Sequence, residues 1–176
     1  MKVVPFVLPL LLVTSAALAL PKSVAEFRTR QDVEAVSPQG AARLWFDAVW
    51  VYLGGDTKLG AQLITVMMKD KQWPTAMPCL VDAMRLKPQI LRSYVRGATP
   101  ENGYVLSPDH YELNIRDLSL QPLPQFPVGK IVRLMLTSGG ADAPRALDLE
   151  RNGLGLYAVR DPRPLCLGIR PPMGTH

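Results

Sequence analysis

A single change of period divides this chain. As far as Lys87 the apolar residues recur every three or four positions, and beyond Ser107-Pro108 they recur every second one. Helices therefore come first and strands second, and a chain that segregates them builds an α+β layer architecture. The joint between the halves is Arg92-Ser93-Tyr94-Val95-Arg96-Gly97-Ala98-Thr99-Pro100-Glu101-Asn102-Gly103-Tyr104. Two tyrosines, two arginines, a glutamate and two glycines within it make it the first place to look for a site.

The helical half carries clear start and stop signals. Ser37-Pro38 supplies an N-cap serine followed by proline at the first helical position. Ala41, Leu44, Trp45, Ala48, Val49, Tyr52 and Leu53 then form a wide apolar face, which Trp50 and Val51 extend to most of the circumference, until Gly54-Gly55 stops the helix. Asp56 caps a second helix from Thr57 to about Met68, with Leu59, Leu63, Val66 and Met67 inward. A third starts between Thr75 and Met77, because Pro78 is tolerated only in a first turn, and it ends before Pro88. The methionines Met67, Met68, Met77 and Met84 read as adaptable core fill.

In the second half, Ile90 to Tyr94 is expected as a short extended piece and Glu101-Asn102-Gly103 as a turn. Tyr111, Leu113 and Ile115 alternate with Glu112, Asn114 and Arg116 as a half-buried strand. Leu118 to Pro127, with three prolines, is a loop or an edge crossing. Lys130 to Thr137 is the most strand-like segment. Arg145–Arg151 and Leu154–Arg160 form a hairpin across Asn152-Gly153, whose two-residue turn would pair Leu149 with Leu156 and Leu147 with Ala158. Leu165 to Ile169 is a last strand. Three N-terminal helices on a curved antiparallel sheet of four to five strands result, an order that resembles the cone-shaped NTF2-like (cystatin-like) fold.

Met1 to Leu20 has the composition of a secretory signal: Lys2, a charge-free run from Val3, and an Ala17-Leu18-Ala19 cleavage site with the cut after Ala19. The run is short for a membrane span and is interrupted by Pro5 and Pro9, so no stable span is expected once it is removed. The organisation expected is 1–19 signal, 20–36 flexible arm, 37–172 a single α+β domain and 173–176 a tail. Lys and Arg number 20 against 15 Asp and Glu, a formal net charge of +5, but the basic residues are scattered, which is a solvated surface and not a nucleic-acid footprint.

Three pieces of the chain carry a resemblance: Ser93-Tyr94-Val95-Arg96-Gly97-Ala98-Thr99-Pro100-Glu101-Asn102-Gly103-Tyr104, Ser138-Gly139-Gly140-Ala141-Asp142-Ala143-Pro144-Arg145, and Gly168-Ile169-Arg170-Pro171-Pro172. They resemble the hallmarks of a family of bacterial proteins recorded as a domain of unknown function, over roughly Ser37 to Pro172. The resemblance implies a bacterial envelope or secreted protein and brings no activity with it. Members often have tryptophan in the last hairpin, where this chain has Tyr157.

Catalytic motifs are absent: no GxSxG elbow, P-loop, HExxH or CxxC. The only histidines are His110 and His176, too few for a zinc site, so no metal and no cofactor is expected. Asp109 and His110 are weak acid–base candidates, since neighbours on a strand point to opposite faces. Cys79 and Cys166, the only cysteines, are either a disulfide or two buried thiols. Tyr94, Arg96, Glu101, Tyr104, Asp142, Arg145 and Arg170 fall in the three pieces. Their arginines could clamp an anion, or Arg–Glu and Arg–Asp pairs could lock the loops together, with Arg96 among the locks. The function expected is non-catalytic binding of a small ligand or a protein partner; an isomerase or hydrolase of small substrates and a homodimerising structural module are the alternatives.

Overall fold

A computed structural model describes residues 19–105, 111–116, 121–122 and 130–174. It is an α+β protein with six helices among the described residues, followed by an open antiparallel sheet. The helices are α1 (Val24–Glu34), α2 (Pro38–Leu53), α3 (Thr57–Met67), α4 (Trp73–Ala76), α5 (Pro78–Arg85) and α6 (Gln89–Arg92). The sheet has three full strands, β2 (Ile131–Leu136), β3 (Arg145–Arg151) and β4 (Tyr157–Asp161), with the two-residue β1 (Gln121–Pro122) paired to the edge of β2.

α2 is the axis of the molecule because its sequence leaves no solvent face. Leu44, Trp45, Phe46, Ala48 and Val49 are each at most 1 % exposed. Its ends follow from capping: Ser37 accepts the Gly40 N–H, and the Gly54 N–H closes on the Trp50 carbonyl. α3 begins in the same way, with Asp56 Oδ1 accepting the Leu59 N–H at 2.9 Å.

Several expectations are corrected. Residues 20–36 are not an arm: they contain α1, capped by Ser23 and seated by Phe27, which is fully buried. The third helix is broken in two at Met77, whose backbone is pushed out of the helical region by Pro78. Ile90 to Tyr94 is not extended, since a helical turn occupies Gln89–Arg92. Residues 111–116 make single bridges, Val95 with Leu113 and Ile115 with Leu136, in place of a regular strand, although the expected alternation holds: Tyr111 and Leu113 are buried, Glu112 exposed. Leu165 to Ile169 is not a strand, because a 3-10 turn takes Arg163–Cys166.

The hairpin register is shifted by three residues. Asn152 does not sit in a two-residue turn; its side-chain oxygen accepts the Leu154 and Leu156 N–H groups, and the positive φ falls on Gly155. The pairs are Leu149 with Val159 and Arg151 with Tyr157. An odd shift exchanges faces, and Tyr157 and Val159, next to the residues expected to face the core, are the ones buried there.

Cys79 and Cys166 are free thiols, so the disulfide is not formed here. They are neighbours nonetheless: burial pushes the Cys166 thiol up, and the adjoining Cys79 adds to that.

Candidate functional site

The three sequence pieces meet, as the joint between helices and sheet. Tyr94 is fully buried after α6 and donates its hydroxyl to the Leu165 carbonyl at 2.8 Å. Burial holds its phenol far above the ordinary range. Tyr104 donates to the Arg170 carbonyl at 2.9 Å. The expected Asn-Gly turn takes positive φ at Gly103 and Tyr104, not at Asn102. Asn102 instead pins the loop, its Oδ1 accepting the Thr99 and Tyr104 N–H groups and its Nδ2 donating to the Gly97 carbonyl. Ser138 donates to Ser93 at 2.7 Å, and Ser93 donates on to the Ile90 carbonyl at 2.6 Å.

Two glycines make this approach possible. A Cβ on Gly139 would overlap the Ala98 carbonyl oxygen, and one on Gly140 would overlap the Tyr104 hydroxyl. Gly139 in turn donates its N–H to the Ser93 carbonyl at 2.9 Å.

The charged residues of these pieces contribute less than expected. Arg96 pairs with Glu112 at 3.1 Å, not with Glu101, and both side chains are over 60 % exposed. Arg170 lies 4.0 Å from an exposed Asp142. Arg145 donates to the Leu167 and Ala143 carbonyls. Glu101 is exposed, its carboxyl held low by a hydrogen bond from Thr99. The loops are joined by hydroxyl and backbone bonds; the expected Arg–carboxylate locks are replaced by exposed pairs worth well under 1 kcal/mol, about the size of ordinary surface pairs. Asp109, His110 and His176 lie outside the described residues.

A cavity lies beside this joint. It holds about 430 Å³ and is lined by Gln39, Gly40 and Arg43 of α2, and by Arg96, Tyr111, Glu112, Leu113 and Ile115. Its back wall is a buried polar cluster. Asp47, in the apolar helix α2, is 1 % exposed and accepts Arg30 Nη2 and the Tyr111 hydroxyl, both at 2.5 Å. Arg30 also pairs with Glu34 at 2.7 Å, so one carboxylate fastens α1 and residue 111 to α2. Burial pushes the Asp47 carboxyl up despite Tyr111 and Arg30, and burial with the Asp47 charge pushes the Tyr111 phenol well up. Tyr111 lines the cavity with its hydroxyl spent on Asp47, and Asp47 is not among the lining residues.

Sequence reasoning missed this cluster. Its signal was Asp47 itself, one carboxylate between Phe46 and Ala48 in a helix apolar on all sides. Arg43 lies over the Tyr111 ring at 5.6 Å, and the Trp50 ring follows 5.7 Å beyond Tyr111. Trp50 in turn meets Arg92 at 5.9 Å.

A second charged group lies behind the sheet. Glu150 is held by Lys69 at 2.9 Å and by Arg160 at 2.5 Å, and Arg163 pairs with Asp161 at 2.7 Å. Burial alone would raise the Glu150 carboxyl, but the two cations outweigh it; Asp161 is held low by Arg163. Both native pKa values lie below the unfolded ones, so their stabilisation is full above about pH 4.5. It is lost as pH falls through the depressed native values. Asp47, shifted upward, acts with the opposite sign. Urea midpoints measured against pH are expected to fall on the acid side, and less steeply in Glu150→Gln; equal slopes would contradict this.

Neither a curated protein nor a solved structure matches the chain. A family model described as a domain of unknown function, DUF6935, matches residues 19–173. That match takes in α1, the Asp47 cluster, the three loops and the sheet, and the chain belongs to the DUF6935 family.

Proposed function

We propose that this is an exported, non-catalytic binding protein that holds a small molecule in the cavity between α2 and residues 111–116. The observation that carries the reading is a cavity of about 430 Å³ with the Arg43 guanidinium on its wall, stacked on Tyr111 and in no ion pair with a described residue. The absence of chemistry follows from Asp47 and Tyr111, which spend their polar atoms on each other and on Arg30. A cavity of this size with an apolar floor and few polar groups suits a small ligand. The NTF2-like cone belongs to the same reading, with helices laid over a curved sheet. Equilibrium dialysis of a small-molecule library is expected to show retention by the mature chain and none by Gln39→Trp, which fills the mouth; equal retention by the two would overturn the site.

Export rests on the signal-like composition of residues 1–20, and the mature mass should correspond to cleavage after Ala19.

A further inference from the structure

We infer that the ligand of the Arg43 cavity is an amphipathic monocarboxylate, its carboxylate on the Arg43 guanidinium and its apolar chain over Tyr111, Leu113 and Ile115. The inference rests on the small-molecule reading above and names the chemical class that the site selects.

Charge compensation is the first argument. Among the described residues the Arg43 side chain makes no hydrogen bond and no ion pair, and its Nε is buried. The carboxylate one helical turn away, Asp47, is bonded to Arg30 and Tyr111 and reaches Arg43 only through its longer-range field. A half-buried guanidinium left so is costly, and a bound anion relieves the cost. The other lining charges nearly cancel, since Arg96 is paired with Glu112. Gln39 and Gly40 place the first turn of the 16-residue α2 at the wall, which adds the positive end of a helix dipole.

Geometry is the second argument. One face of the Arg43 guanidinium lies over the Tyr111 ring, and that ring is fixed by its hydroxyl on Asp47 and by Trp50 behind it. The face is occupied and Nε is closed off, which leaves the two terminal Nη groups. Their paired N–H groups match the two oxygens of a carboxylate. A single unpaired guanidinium with half a helix charge balances one negative charge; among the described lining residues the other cation, Arg96, is already paired with Glu112, which disfavours a phosphate dianion. The floor is aromatic and aliphatic, so the rest of the ligand is apolar.

Titration calorimetry of the mature chain with octanoate, octanamide, octyl phosphate and acetate, below micellar concentrations, tests this. Octanoate is expected to bind about tenfold more tightly than octanamide, the loss of one charge-assisted pair, and more tightly than octyl phosphate or acetate. In Arg43→Gln, whose fold is checked by circular dichroism, octanoate and octanamide should become equal. Failure of every probe to bind would overturn the small-molecule reading itself. Binding of octanoate and octanamide with equal affinity would leave the cavity and overturn the carboxylate. Tighter binding of octyl phosphate would overturn the monocarboxylate in favour of a phosphate monoester. These comparisons on the unaltered protein decide the matter even if Arg43→Gln does not fold.

Discussion

Asp47→Ala is expected to lower the unfolding free energy by about 3 kcal/mol, the size of breaking a buried ion pair from one side. The side chain is 1 % exposed and holds Arg30 and Tyr111 at 2.5 Å each. Its removal leaves Arg30, itself only 10 % exposed, with Glu34 alone, and Tyr111 without its carboxylate. Retention of Glu34 is why the expectation sits at the lower end of that range. Urea denaturation measures it, with Arg96→Ala as the control: its exposed pair with Glu112 is worth under about 1 kcal/mol. Equal midpoints for the two variants would mean that the cluster does not hold α1 and residue 111 to α2. Because Tyr111 positions Arg43, the same variant should also lose small-molecule binding.

Gly139→Ala is the second large effect, a loss of about 3 kcal/mol from forced overpacking. For a chain of this length that is roughly 10 °C in Tm. The obstacle is backbone, since the added methyl would run into the Ala98 carbonyl, and relief would require the 92–104 segment to move away from the 138–140 loop. Such a shift also breaks the Gly139 to Ser93 bond and the Ser138 to Ser93 bond. Tyr104→Phe, which loses one hydroxyl bond to Arg170, should cost only about 1 kcal/mol. A Gly139→Ala protein with wild-type Tm would remove the close approach of these loops from the account.

Helix-capping signals were a reliable guide. Ser37, Pro38, Gly54 and Asp56 mark their helix ends because capping involves residues within one turn. β2 was legible from Val132, Leu134 and Leu136 on one face. The hairpin register was not, because Asn-Gly signals a turn without saying whether the asparagine acts through its backbone or its side chain; here it is the side chain. α1 was missed since Phe27 is its only buried side chain, too few to set a period. In the three pieces, the arginines and acids drew more attention than the tyrosine and serine hydroxyls that make the bonds. Asp47 was visible as a lone acid in an apolar helix, whereas its partner Arg30 stands 17 residues away and only the fold brings them together.

The most direct test of the account is a crystal structure of the protein purified from its native host, without added ligand. The account predicts density in the cavity bounded by Gln39, Arg43, Arg96, Tyr111, Leu113 and Ile115, with an acidic group against Arg43. A cavity filled by the protein's own side chains, with Arg43 paired to one of its own carboxylates, would contradict it.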